Sequence, residues 1–261
     1  MYKPIKELGQ NFLTDSRVAR SMVEAVEVGN DMDLIEIGPG HGMLTELIVR
    51  QTLPLDSTLY AVELDRRLYG KLSHMFLEEP NVKVICENVL DYLPKFDCKR
   101  NFSVIGSLPY YITSPILHKI IKMKKLPNIC VFLVQKEVAL KISSKAPDSS
   151  YLSSFIQTFY DVSYLEKVDA KKFNPVPEVD GGIIKLKKRM NAPQAGPMFI
   201  EKLEGFLHRA YSHPRKMLNK IFKQDELLKA GIKPDIRAQN LNADEWLNMF
   251  KCLYPEITHE V

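Results

Sequence analysis

Short apolar runs separated by helical periodicity fill the first two-thirds of the chain. The runs at 34–38, 58–63, 82–86, 102–106 and 128–134 are rich in Val, Ile, Leu and Phe. Continuous rather than alternating apolar character predicts strands covered on both faces. Between them, 43–51, 67–78 and 115–123 repeat apolar residues at helical spacing. Strand–helix alternation of this kind predicts a parallel, doubly wound sheet, so the fold class is α/β. Two later runs, 155–168 and 182–188, have no clear helix between them and predict an antiparallel hairpin at one sheet edge.

Past residue 190 the pattern changes. The stretch 190–197 (MNAPQAGP) has the composition of a linker. Beyond it only helical periodicity remains: Phe199, Leu203, Phe206, Leu207 and Ala210 share one face. Ser212-His213-Pro214 breaks that helix and can cap the next. Leu218, Ile221 and Phe222 then continue the apolar face. A last helix is predicted over 243–253 with Asn242 as its cap. The domains are accordingly 1–190, α/β, and 191–261, small and all-helical.

Composition removes other classes. The 261 residues are 45% hydrophobic and 26% charged, ordinary for a globular protein. No apolar run approaches the ~20 residues of a membrane span, and the first residues lack a signal-peptide stretch, so a cytoplasmic protein is expected. The cysteines, Cys86, Cys98, Cys130 and Cys252, have no metal or redox spacing, and Cys86 and Cys130 read as buried apolar residues. The histidines have no metal-ligand spacing, so no metal is expected. The net charge is only +4, but residues 171–223 carry 12 Lys and Arg against 4 Asp and Glu, a local +8. That asymmetry suggests a polyanionic partner.

The first strand runs into Gly38-Pro39-Gly40-His41-Gly42. Such a turn lets the backbone approach a ligand closely. The second strand ends at Glu63, an acid able to accept hydrogen bonds from ribose hydroxyls. The glycine spacing is shorter than G-x-G-x-x-G, and these residues leave two cofactors open, a nicotinamide nucleotide and S-adenosylmethionine. The fourth strand ends in Ser107-Leu108-Pro109-Tyr110. Tyr110 offers a face on which a planar base can stack. The Ser107 hydroxyl and the Leu108 carbonyl can accept the two N–H bonds of an exocyclic amine and free its lone pair for direct methyl displacement. No metal or covalent nucleophile is then needed. A proline–tyrosine turn after a buried strand is the plain alternative.

Together these blocks resemble one family, the ribosomal RNA adenine dimethyltransferases of the small-subunit, KsgA type. Besides the glycine turn and 107–110, the resemblance includes Gly9-Gln10-Asn11-Phe12-Leu13, Glu63-Leu64-Asp65-Arg66, Gln135-Lys136-Glu137-Val138-Ala139 and Phe173-Asn174-Pro175-Val176-Pro177. It continues into the helical part at Arg215-Lys216-Met217-Leu218-Asn219 and at 231–238, covering nearly the whole chain in order. The resemblance implies a class I, Rossmann-like methyltransferase domain with a mostly parallel sheet, followed by a helical domain facing rRNA. It implies S-adenosylmethionine as cofactor and dimethylation of two adjacent adenosines near the 3′ end of small-subunit rRNA, in the immature subunit. A monomer is the default. By position, Asn11, Leu13, Gly38 and Gly40 line the methionine side, Glu63 holds the ribose, Asn88 touches the adenine, and Ser107 borders cofactor and target. Phe173 stacks on the target base opposite Tyr110. Lys185, Lys187, Lys188, Arg189, Arg209, Arg215, Lys216 and Lys220 meet rRNA phosphates.

Three positions depart from the family. Ser107 stands where Asn is usual, and its hydroxyl lies closer to the backbone. Asn88 stands where Asp is usual. Pro214 replaces a further arginine. The first two keep open a catalytically weak ribosome-assembly binding factor. The enzymatic rivals are a large-subunit rRNA methyltransferase of the antibiotic-resistance type, disfavoured by the 9–13 and 173–177 blocks, and a nicotinamide dehydrogenase, which lacks a hydride-transfer base here.

Overall fold

The computed structural model describes residues 3–5, 8–193 and 195–258. In chain order its elements are β1 (Phe12–Leu13), α1 (Ser16–Ala25), β2 (Met32–Ile37), α2 (Met43–Gln51), β3 (Leu59–Glu63), α3 (Arg66–Met75), β4 (Val82–Cys86), α4 (Val89–Tyr92), β5 (Asn101–Ser107), α5 (Thr113–Ile121), β6 (Ile129–Gln135) and α6 (Lys136–Ser143). There follow α7 (Tyr151–Gln157), β7 (Tyr160–Val168), β8 (Phe173–Asn174), β9 (Gly181–Lys188), α8 (Pro197–Tyr211), α9 (Gln224–Lys229), α10 (Ala243–Leu253) and α11 (Pro255–Thr258).

Seven strands form one sheet in the order β4-β3-β2-β5-β6-β9-β7. The first five are parallel, and β9 runs antiparallel to β6. This is the α/β class expected. The chain winds outward from β2 through β3 to β4, then returns to the other side of β2 as β5. The loops after β2 and β5 therefore leave in opposite directions and open a crevice at the C-terminal strand ends, where such sheets bind ligands. The sheet is buried on both faces, as the apolar runs require: Leu34, Ile35, Val104, Ile105 and Val131 through Val134 are at 0% exposure. On one side α1 lays down Val18, Ala19, Met22 and Val23, a single helical face, against Leu34, Leu59, Ile105 and Val131. Each such side chain contributes roughly 1.5–3 kcal/mol of burial.

The chain divides into two compact units, Met1–Ala139 with Ser163–Lys188, and Leu140–Val162 with Arg189–Val261. The second unit thus takes in a stretch that the division at 190 put in the first. Its core is aromatic: Phe206 packs its ring against Phe222, Trp246, Phe250 and Tyr254. Buried Trp246 donates its indole N–H to the Tyr211 hydroxyl, which is also bonded to Ser154 and Ala238 O. All five apolar positions singled out on the helix after the linker are buried on α8, and Asn242 caps α10.

Some expectations fail locally. The run 155–168 is not one strand: Ser150 and Ser153 form a capping box, so 151–157 is helical and only 160–168 is extended. No helix starts at Pro214. The chain turns there, Met217 bridges to Arg237, and Leu218–Lys220 is a single 3-10 turn. Cys130 is buried but Cys86, on the edge strand β4, is exposed. Among the described residues no helix is long and apolar enough to cross a membrane, and no side-chain group could hold a metal ion.

Candidate active site

The crevice at the switch point holds a cavity of about 330 Å³. It is lined from four strand ends and from the segment 8–13. All the positions expected to touch cofactor or target line it: Asn11, Leu13, Gly38, Gly40, Glu63, Asn88, Ser107, Leu108, Pro109, Tyr110 and Phe173.

The glycine turn has a steric origin. Gly40 has φ +60°, and a Cβ there would lie 2.9 Å from the Phe12 ring. Only glycine combines this backbone with that close approach. At Gly38, φ +64°, an added Cβ would meet nothing within 4 Å, so the space above it is open for a ligand. Glu63 sets the turn's position. Its Oε2 accepts from Gly40 N at 3.0 Å and its Oε1 from Asp65 N at 2.8 Å. One carboxylate thereby joins the loops after β2 and β3. Each oxygen retains a lone pair for a hydroxyl of a bound ligand. Burial pushes the Glu63 pKa up, against the two amide hydrogen bonds that lower it.

Beneath the turn lies a second acid. Glu36, on β2, is at 0% exposure. Its Oε2 accepts from the Thr45 hydroxyl at 2.7 Å, while Oε1 has no partner among the described residues. Burial pushes its pKa up to about 8, helped by the neighbouring Glu63 charge and opposed by the Thr45 bond.

Residues 8–13 close one side of the cavity and are tied down at several points. Gln10 accepts from Ile5 N at 2.7 Å and donates to Asp65 Oδ2 at 3.0 Å. The Arg67 guanidinium grips the same carboxyl and holds its pKa far below the usual range, with Gln10 adding to the effect. Phe12 stacks at a tilt on His41, ring centroids 4.3 Å apart. Burial lowers the His41 pKa. β1 pairs antiparallel with β8, setting Leu13 opposite Phe173.

On the other side, β5 ends at half-buried Ser107. The next N–H, of Leu108, donates to Leu133 O of β6 at 2.9 Å, which fixes that peptide's orientation. Pro109 (φ −57°) leads into the 3-10 turn Tyr110–Ile112 and directly into α5. The Tyr110 hydroxyl is buried without a partner among the described residues, and burial pushes its pKa up to about 12. Phe173 is only 3% exposed and belongs to the apolar core with Leu133, Ile183 and Leu13. It is a wall of the cavity as well as a core residue. The outward members of its segment are Val176 and Val179, at 62% and 46%.

The basic positions divide. Lys187, Lys188, Arg215, Lys216 and Lys220 are exposed. The other three have partners within the chain: the Lys185 and Arg189 side chains are largely covered, while Arg209 is exposed as well as partnered. Lys185 is ion-paired with Glu27. Arg189 makes a bidentate pair with Asp244 at 2.8 and 2.9 Å and donates to Gln157 O. Arg209 lies 4.4 Å over the Phe222 ring and donates to Ile221 O. Sequence reasoning also assigned no role to Gln10, Asp65 and Arg67. The block 9–13 and the acid after Glu63 were visible, but not the bonds between them.

A mostly parallel sheet with a glycine turn, a buried acid at the end of β3 and a polar-x-Pro-aromatic segment around one switch-point cavity defines a class I methyltransferase. The family model for ribosomal RNA adenine dimethylase matches residues 2–254, and the chain belongs to that family. It is 32% identical over 252 residues to the ribosomal RNA small subunit methyltransferase A of Sulfurihydrogenibium sp. (strain YO3AOP1), covering 95% of each chain. To the protein of that name from Mycoplasmopsis pulmonis it is 34% identical, covering 94% of this chain and 97% of the relative. Among solved structures, a dimethyladenosine transferase from Plasmodium falciparum has the same fold, with TM-score 0.81 at 20% identity, covering 94% of this chain and 98% of the other.

Proposed function

We propose that this protein uses S-adenosylmethionine to dimethylate the exocyclic amines of two adjacent adenosines in the 3′-terminal hairpin of small-subunit rRNA. It acts as a cytoplasmic monomer on the immature small subunit. The observation that carries the reading is the convergence of 107–110, the glycine turn and Glu63 on one cavity. The two relatives' shared name supports the choice of rRNA.

The residues fit the cofactor. The open space above Gly38 takes the chain end, Glu63 the ribose hydroxyls, and Asn88, with apolar Leu64 and Val89 beside it, the base. Bound there, S-adenosylmethionine supplies an electrophilic methyl on a sulfonium. The remaining work falls to the protein. The amine lone pair of adenine is delocalised into the ring. Ser107 Oγ and the Leu108 carbonyl accept its two N–H bonds and draw the nitrogen towards tetrahedral geometry. The Leu108–Leu133 bond orients the Ser107–Leu108 peptide, and with it the approach to the Leu108 carbonyl, before substrate arrives. Pro109 fixes the turn, and the Tyr110 ring provides the stacking face. Catalysis is positioning plus electrostatics. Bringing a looped-out base into the pocket costs less than extracting a paired one.

The test is methyl transfer from labelled S-adenosylmethionine to undermethylated small subunits, with Ser107→Asn alongside. Dimethyladenosine in the terminal hairpin is the expected product. The longer asparagine arm is expected to speed single turnover about tenfold, the worth of one better-placed hydrogen bond. No transfer by either protein, with subunit binding retained, overturns the enzymatic reading in favour of an assembly factor. Label in large-subunit rRNA instead overturns the substrate.

A further inference from the structure

Among the described residues, Phe12, Tyr110, Tyr111 and Phe173 are the Phe and Tyr side chains that line the cavity. Three of them are engaged. Phe173 is buried in the core, Phe12 stacks at a tilt on His41, and the Tyr110 hydroxyl is buried. Tyr111 is instead 58% exposed at the rim, and methyl transfer as described above makes no use of it.

Local backbone explains why two successive tyrosines face two ways. Tyr110–Ile112 is a 3-10 turn, in which consecutive side chains project about 120° apart. Turning Tyr110 inward therefore turns Tyr111 out. The outward ring is nevertheless held. Gly9 closes on it so tightly that an added Cβ would lie 2.9 Å from both Cδ1 and Cε1. Gly9 belongs to the segment that Gln10 fastens to Asp65, so the ring has a firm backing while more than half its surface stays open. A ring fixed in advance stacks on a flat ligand without the entropic cost of being ordered. A single exposed apolar side chain is ordinary. A backed aromatic face at the rim of a pocket suited to a planar base is a stacking platform.

The occupant follows from the proposed function, on which this inference rests. Drawing one adenosine into the pocket breaks its stacking on the base beside it in the strand. That neighbour is left with a bare face at the mouth. Tyr111 directly follows Tyr110, their Cα atoms about 3.8 Å apart, so its ring lies within reach of the next nucleotide. We infer that Tyr111 is a second base-binding site, a platform on which the nucleobase next to the target stacks while the target stands against Tyr110. The platform replaces the stacking partner that the neighbour loses and holds the strand at the entrance.

The test is the rate of methyl transfer to undermethylated small subunits at subsaturating concentration, with Tyr111→Leu and Tyr111→Phe in the full chain. Leucine keeps an apolar contact with Gly9 but offers no flat face. Tyr111→Leu is expected to slow transfer about tenfold and Tyr111→Phe to stay within about twofold of the wild type. Affinity for S-adenosylhomocysteine and melting temperature are expected to be unchanged in both. Subunits in which uridine replaces each adenosine of the pair in turn probe the other partner. Uracil stacks more weakly than adenine, so with one of the two the wild type is expected to slow about threefold at the remaining adenosine, and Tyr111→Leu to show no such difference. Wild-type speed in Tyr111→Leu, an equal loss in Tyr111→Phe, weakened S-adenosylhomocysteine binding, or a uridine effect that is absent from the wild type or the same in both proteins overturns the inference and leaves the proposed function standing. No transfer by the wild type brings down that function, and the platform with it.

Discussion

Glu36 and Glu63 stand on neighbouring strands, both buried, and differ in the hydrogen-bond partners they find. Two main-chain N–H groups satisfy Glu63, while Glu36 has one hydroxyl and an orphan oxygen. With its folded pKa at about 8 against an ordinary 4.5, Glu36 binds a proton more readily in the folded state than in the unfolded one. Its proton therefore favours the fold below about pH 4.5, and that advantage is lost as pH climbs towards 8. Glu36→Gln keeps the shape and removes the titration. Denaturation at pH 5 and pH 9 is expected to show wild type losing on the order of 2–4 kcal/mol more than the variant. Equal losses would sink the assignment. The role of Glu36 was not legible in the sequence, because an acid within an apolar strand looks the same whether it is paired or orphaned. The same holds for Asn88: the residue was visible, but its amide orientation depends on the Leu90 N–H and appears only once α4 has formed.

At the scale of elements, strands and glycine turn were legible because continuous apolar runs and left-handed glycines leave direct marks. Two misreadings have physical causes. Phe155, Ile156, Phe159 and Tyr160 are consecutive enough to suit either a strand or a buried helix, and the deciding Ser150–Ser153 box lies just upstream. After α8, Ser212 and Pro214 had helix-start chemistry, yet the Met217–Arg237 bridge claims the backbone that a helix would use. A less visible constraint sits at the switch point. Gly106 of β5 is paired opposite Ile37 of β2, and a Cβ there would come within 2.7 Å of the Ile37 carbonyl oxygen. Backbone cannot yield as a side chain does. Gly106→Ala is expected to cost about 1–3 kcal/mol in urea unfolding with an unchanged slope, and to weaken cofactor binding by prising β2 from β5. A neutral substitution on both counts would contradict this close approach.

For the whole molecule, composition identified a positive half but not which charges are available. Basic residues that stabilise the fold and those that face solvent are identical in sequence, and only partners such as Glu27 and Asp244 separate them. Counter-ion release gives a measurement that does the same. Removing one phosphate contact lowers the slope of log affinity against log salt by about 0.7–0.9. Arg215→Ala and Lys216→Ala are expected to show that drop on rRNA with an unchanged melting temperature. Arg189→Ala is expected to leave the slope alone and lower the melting temperature. The reverse pattern would reassign the residues. Domain division was the least legible feature at this scale, since 140–162 joins a unit whose other residues begin at 189.

The short ladder between β1 and β8 gives the site a clock. Residues 8–13 wall the cavity, the ladder fastens them to 173–174, and Gln10 fastens them to Asp65. On the proposed cofactor reading, exit past residues 8–13 would make the dwell time of a spent cofactor follow how firmly this segment is fastened. Gln10→Leu, which removes the bonds to Ile5 N and to Asp65 and leaves Glu63 and Ser107 in place, is expected to shorten the stopped-flow residence time of S-adenosylhomocysteine about fivefold to tenfold, since the tie to Asp65 contributes roughly 1 kcal/mol. An unchanged off-rate would mean that departure runs past another wall. With exit at this segment setting the pace, dimethylating one adenosine takes two openings and the proposed pair takes four, and haste in the chemical step alone would not shorten the cycle.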